Sequence, residues 1–419
     1  MDTKRLNNGL NLIIEPMPNT HSITIGLYIR AGTRYEDKNN GITHLLEHIH
    51  FRELNNMSQN ELYFKMESIG STLLATTYYD LLKYSMKIRP FYLKDCVEIF
   101  KSILSTYCWS EENIKKEKAV IKNQIEESNS SFSEDSIIRK NLLGNSNLSK
   151  DIMGDSETVD SIRLEELISY KRKVFNKNNL VVCVTGCVQQ TDIELIEDQL
   201  GSVMVAAGDK NVPNGIPALL YHRKPNIVFK HDDWDMTYVN VSFDVDYSKC
   251  TISELKILNC ILGEGVGSRL QKCVREELSF TSDIASQIEL YEDFAFLHIK
   301  FSVHKSKLSE CLEYVFKTIS NIKSNITSDD LAVSLPFYTE NQNFLKDDTE
   351  QMNYELAYNL FVLNEESEKF PLRNDHESIL KLTEAAKKVF VPDNISVIIF
   401  GECDGVSKKS VLQVINGLF

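Results

Sequence analysis

The chain has 419 residues, too many for one small core, so about two to three domains is the default expectation. Its 42% hydrophobic and 25% charged residues are ordinary for a soluble globular protein, and no stretch reaches the ~18 apolar residues of a membrane span. A formal charge of −14 argues against nucleic acid as a partner, because phosphate binding needs a basic footprint; an acidic surface suits basic or neutral peptides, or serves solubility alone.

The N-terminal run MDTKRLNNGLNLIIEP has neither an apolar signal core nor an arginine-rich transit helix, and a cytoplasmic location is the expectation. GLNLIIEP and SITIGLYIRAG alternate and carry β-branched residues, and the turn residues Met17 to Thr20 lie between them, which predicts a hairpin. A helix is expected from about 41 to 54. Another is expected from 58 to 69, opened by Ser58 with Glu61 three residues on. Strand-like LLATTYY and KYSMKI follow, then amphipathic helices near 91–106 and 111–128 and a polar loop over 128–136. LEELISYKRKVF reads as a helix and NLVVCVTGCV as a buried strand. Gly208, Pro213, Gly215 and Pro217 mark a linker over 206–222. Beyond it come strand YVNVSFDV, helices over 251–263 and 267–278, strand FAFLHIKFSV, a helix over 307–323, strand NISVIIFG and a last helix. Similar runs in both halves predict an α+β fold of two alike domains, 1–205 and 223–419. Nine cysteines, an odd number with no C-x-x-C pair, predict free thiols rather than a disulfide framework or a thiolate zinc site.

The chemistry lies in the helix over 41–54, in His44-Leu45-Leu46-Glu47-His48. Two histidines four apart project from one helix face, so both imidazoles can reach one zinc ion. Glu47, one position before the second histidine, is placed to act as general base on a water whose pKa zinc lowers toward ~7. H-x-x-E-H is the inverted zinc-peptidase spelling. The bland reading is a chance match on an ordinary helix face, which short motifs regularly produce. His50 reads as a surface or supporting polar residue. Gly263 to Gly267 reads as a turn before a helix rather than a phosphate loop, and Cys183 and Cys187 as packing residues.

The run LNNGLNLIIEPMPNTHSITIGLYIRAGTRYED with NGITHLLEHIHF, the run SETVDSIRLEELISYKRKVFNKNNLVVCVTGCV, and GEGVGSRLQKCVREELSFTSDIAS carry a resemblance that spans nearly the whole chain. Together they resemble the M16 family of metallopeptidases (the pitrilysin, insulysin and mitochondrial processing peptidase group), in its small two-domain members that work as dimers. The resemblance implies a clamshell dimer around a chamber, Zn2+ as cofactor, a peptide substrate such as a leader or precursor peptide, and His44 and His48 as ligands. It further implies a Glu as third ligand, seven residues after another Glu that supports a ligating histidine. Glu117 matches the supporting position, but Gln124 stands at the ligand position. A neutral amide in place of a carboxylate weakens metal binding. Glu127, one turn further on, reaches the site only from a shifted helix. Glu-to-Gln is also a common silencing change, engineered or by natural loss, and the sequence does not choose between them.

Two further departures concern substrate. The family's Asn-Ala pair on an edge strand is Leu74-Ala75 here, where the main chain can still bond an extended peptide. The family's Arg and, seven residues later, Tyr in the second domain are Arg275 and Ser282. The bland reading of Arg275 is a helix-surface charge beside Glu276 and Glu277. A missing Tyr fits a heterodimer in which this chain is the metal-bearing half and a different M16-like subunit supplies the Tyr. A non-catalytic scaffold subunit is the other reading, favoured by Leu74, Gln124 and Ser282 and opposed by the intact His44, Glu47 and His48.

Overall fold

The computed structural model describes residues 1–55, 57–129, 134–211, 225–231, 236–365, 372–403 and 405–419. The chain divides into two compact units. The first comprises Met1–Lys140, Gly144–Gly215 and Phe344–Ser367; the second comprises Asn141–Leu143, Ile216–Asn343 and Glu368–Phe419. Of the expected linker over 206–222, residues 212–222 lie outside the described residues. Helices and strands mix in both units, an α+β build.

The first unit contains β1 (Asp2–Arg5), β2 (Asn11–Pro16), β3 (Ile23–Ile29), a two-residue pair β4 (Glu53–Leu54) and β5 (Met57–Ser58), then β6 (Leu73–Thr77), β7 (Leu82–Ile88) and β8 (Leu180–Gly186). Its helices are α1 (Ile42–Arg52), α2 (Gln59–Ser68), α3 (Leu93–Ser105), α4 (Glu111–Asn129), α5 (Glu134–Leu143, which ends in the second unit), α6 (Ser156–Ser161), α7 (Leu164–Val174) and α8 (Gln190–Gly201). The six-stranded sheet runs β1-β2-β8-β3-β7-β6.

This order corrects the expected hairpin. β2 and β3 do not pair with each other; β8 lies between them, parallel to β2 and antiparallel to β3. Every residue of β8 is buried, and a strand apolar on both faces belongs at a sheet centre. The hairpin that forms is β1 with β2, Asp2 opposite Ile14. On one face of the sheet, Leu45, Leu46 and Ile49 of α1 join Val97, Phe100 and Ile103 of α3 and Ile196 and Leu200 of α8 in a single core.

The other face takes a helix from late in the chain. The segment Phe344–Ser367, expected within a separate second domain at 223–419, belongs to the first unit. Its helix (Thr349–Ala357) lays Asn353 across the sheet: Nδ2 donates to Thr24 O at 3.1 Å and Cys183 O at 2.9 Å, and Tyr28 donates to Oδ1 at 2.7 Å. Thr185 adds a hydroxyl bond of 2.6 Å to Thr349 O. Gly26 leaves room for this approach, since a Cβ there would collide with Asn353 Oδ1 and the Tyr28 ring. The physical reason for the crossover is that this sheet face is polar, with Thr24 and Thr185 fully buried, and needs hydrogen-bond partners.

In the second unit, β9 (Asn226–Lys230), β10 (Met236–Asp246), β11 (Ile284–Leu290), β12 (Phe294–His304) and β13 (Ile395–Phe400) form a sheet in the order β11-β12-β10-β13-β9. Val239, Val241, Phe243 and Val245 alternate inward along β10 onto the second core, which also takes Leu255 and Leu258 of α9 (Ile252–Leu262) and Leu312 and Val315 of α10 (Leu308–Ile322). Gly263 to Gly267 form a turn, as expected, but the helix predicted over 267–278 is a π-helix at Gln271–Glu277. All nine cysteines are free thiols. Among the described residues, no helix is long and apolar enough to cross a membrane.

Candidate metal centre

Helix α1 begins without a side-chain cap of its own. Gly41 at its N-cap has φ 88°, a left-handed conformation that suits glycine, and a Cβ there would meet the Met153 carbonyl. The cap is the buried carboxylate of Glu36, which accepts from Gly41 N at 3.0 Å, Thr43 N at 2.9 Å and Asn40 Nδ2 at 3.1 Å. An anion at this position satisfies orphan N–H groups and complements the helix dipole. The helix ends at Arg52, two residues short of the expected boundary, where Glu53 and Leu54 turn into β4.

From Ile42 to His50 every residue is buried except three: His44, Glu47 and His48. The core therefore fixes the helix and leaves only the motif facing outward. The two imidazole centroids are 4.6 Å apart with planes at 65°. Burial, then the neighbouring His48, pushes His44 down to about 3, so it stays neutral, as a metal ligand must. Burial pushes the Glu47 carboxyl up, and the Thr77 hydroxyl opposes this by donating to Glu47 Oε2 at 2.5 Å.

Glu117 on α4 meets His48 as the spacing suggests. Its Oε2 lies 3.0 Å from His48 Nδ1, and its Oε1 accepts from Arg52 Nε. Burial alone would raise the Glu117 carboxyl, but the bonds from His48 and Arg52 hold it below its ordinary value. With Nδ1 engaged, Nε2 is the nitrogen left for a ligand role. On the same helix, Gln124 Oε1 is buried and makes no hydrogen bond, and neither does the buried His44 Nδ1. An unpartnered buried amide oxygen on α4 and an unpartnered imidazole nitrogen on α1 suit a zinc ion held by neutral N and O donors. Among the described residues, no three His, Cys, Asp or Glu side chains are grouped to hold a metal. Glu127 is exposed.

Leu74 and Ala75 lie on β6, the terminal strand of the sheet, which pairs with β7. The Leu74 side chain is exposed, and Ala75 is half-buried opposite Tyr84. Arg275 lies in the second unit on the π-helix; it is exposed, donates from Nε to Ser282 O at 2.8 Å and pairs with Glu276 at 2.7 Å.

His50 is not a surface residue. It is fully buried, with Nδ1 2.8 Å from Tyr84 Oη and Nε2 2.9 Å from the equally buried Lys171 Nζ. Lys171 also donates to Ile103 O and Thr106 O at 2.7 and 2.5 Å, which binds α1, α3 and α7 together. The signal for Lys171 was its place on the apolar stripe of α7, four residues after Leu167 and three before Val174. Thr77 was also missed; its inward position alternates with Leu73 and Ala75 along β6, which marks burial but not a carboxylate partner.

Two family models match the chain: the insulinase family of M16 peptidases over residues 12–156, and the M16 inactive domain over residues 161–335. A Bacillus subtilis protein named as the uncharacterized zinc protease YmxG is 26% identical over 330 residues, which cover 77% of this chain and 79% of that one. The β subunit of the mitochondrial-processing peptidase of Saccharomyces cerevisiae is 30% identical over 221 residues, 51% of this chain and 47% of that one. Among solved structures, a peptidase M16 inactive domain from Pseudomonas fluorescens superposes with a TM-score of 0.81 at 16% identity, covering 96% of this chain and 98% of its own. A protease from Helicobacter pylori gives 0.80 at 18% identity over 95% and 98%; both show the shared fold. The chain belongs to peptidase family M16.

Proposed function

We propose that this chain is the metal-bearing subunit of a zinc-dependent endopeptidase that cleaves leader or precursor peptides, working as one half of a heterodimer. The observation that carries this reading is that His44, Glu47 and His48 are the residues of Ile42–His50 left out of the buried face of α1, together with the unpartnered Gln124 Oε1 on α4. His44 and His48 would hold zinc with Gln124 as third donor, and zinc when bound supplies a Lewis acid and a water acidic enough to react near neutral pH. Glu47 accepts the proton of the attacking water and passes it to the leaving amine. Glu117 fixes the ring of His48 through Nδ1. The peptide lies extended along β6, bonded to the main chain around Leu74 and Ala75. Arg275 serves the partner's half of the chamber, and Ser282 leaves the Tyr to the partner. A relative named as a β subunit supports a two-subunit assembly.

The second reading, a scaffold subunit, rests on one specific observation: the third donor is the neutral Gln124. Incubation of the chain, alone and with a second M16-type subunit that itself lacks the H-x-x-E-H motif, with a mixture of unstructured peptides separates the two. The catalytic reading expects cleavage that EDTA abolishes and added zinc restores. Cleavage indifferent to EDTA, or none in either sample, would leave the scaffold.

A further inference from the structure

Glu47 stands between the two histidines in sequence and shares their outward face on α1. A carboxylate is a stronger partner for a dication than an amide, and the third donor here is an amide. A free Glu47 would therefore compete with Gln124 for the metal, and a base that has become a ligand no longer takes protons from water. The other nearby carboxylate is already engaged, since Glu117 is held by His48 and Arg52.

One residue restrains Glu47. The Thr77 hydroxyl donates to Glu47 Oε2 at 2.5 Å. Thr77 is itself buried and sits at the end of β6, whose register against β7 (Leu73 with Met86, Thr77 with Leu82) fixes its position. A hydroxyl donor to a carboxylate is charge-assisted and directional, so it sets where the carboxylate points. We propose that Thr77 is a positioning residue that keeps Glu47 a base and prevents it from becoming a metal ligand. The proposal rests on the reading that His44 and His48 hold zinc. It also places the restraint on the strand assigned to the peptide, so binding along β6 and placement of the base share one element.

The consequence has an unusual sign. Loss of a merely structural hydrogen bond loosens a metal site, whereas loss of this one releases a carboxylate onto the metal. The test is zinc affinity of the full chain, by competition with a chromophoric chelator, with thermal unfolding as the control for folding. Thr77→Val, close in shape but without the hydroxyl, is expected to bind zinc about tenfold more tightly than the wild type. Thr77→Ser should match the wild type, and adding Glu47→Gln to Thr77→Val should remove the gain. Thr77→Ala repeats the measurement without a branched side chain. A folded Thr77→Val or Thr77→Ala protein that binds zinc no more tightly than the wild type overturns the proposal. A wild-type chain that takes up no zinc overturns the metal-holding reading, and the proposal falls with it.

Discussion

Replacing Glu47 by Gln is expected to reduce peptide hydrolysis by about 10²–10⁴-fold, the usual contribution of a positioned general base, while zinc content stays at the wild-type level. The substitution keeps shape and one oxygen, so Thr77 Oγ1 retains an acceptor and α1 is undisturbed. What it removes is the proton acceptor. Burial pushes the Glu47 carboxyl above its ordinary value, whereas the amide has no proton to exchange. Activity is read on the peptide mixture and zinc by elemental analysis. Full activity in the Glu47→Gln protein would move the base to another residue, and joint loss of zinc and activity would make Glu47 a ligand.

Replacing Gln124 by Glu is expected to tighten zinc binding by about 10–100-fold. The side chains are nearly isosteric, and Gln124 Oε1 is buried with no hydrogen bond to lose, so the change adds charge with little rearrangement. In the proposed site the three ligands would bring no negative charge, and one unit of it beside a dication in a partly desolvated site would outweigh the cost of burying the carboxylate once the metal is bound. Without metal the sign reverses. An uncompensated carboxylate at this position destabilises the apo protein, so zinc should raise the unfolding temperature more in this variant than in the wild type. Equal zinc affinity in the two proteins would show that position 124 does not reach the metal.

Much of this site was legible in sequence for definite physical reasons. A helical period places His44 and His48 on one face, and the apolar Leu45, Leu46 and Ile49 around them say which face is outward. The Ser58–Glu61 capping box is present with both of its bonds. Glu117 and Gln124, seven apart on a long amphipathic helix, fall on the same side of α4, and Glu117 meets His48. Misreadings arose where long-range pairing decides. Adjacent strands β2 and β3 look like a hairpin from local pattern, and only the two-faced burial of β8 separates them. The sequence leaves His50 open between a surface and a supporting polar residue because its partners, Tyr84 and Lys171, lie 34 and 121 residues away. The helix at Thr349–Ala357 carries no local mark of the sheet it covers, since Asn353 finds acceptors 329 and 170 residues distant. Thr77 escaped for the same reason: a threonine in a strand is common, and its bond to the Glu47 carboxylate is visible only when the strand edge and the helix are brought together.

The central claim is that this chain holds zinc through His44 and His48, and zinc content per chain, measured by elemental analysis on the purified wild-type and Gln124→Glu proteins, tests it most directly. About one zinc per chain is expected in both, at saturating metal, and its loss when His44 is replaced by Ala. Absence of zinc from both the wild type and the Gln124→Glu protein would contradict it.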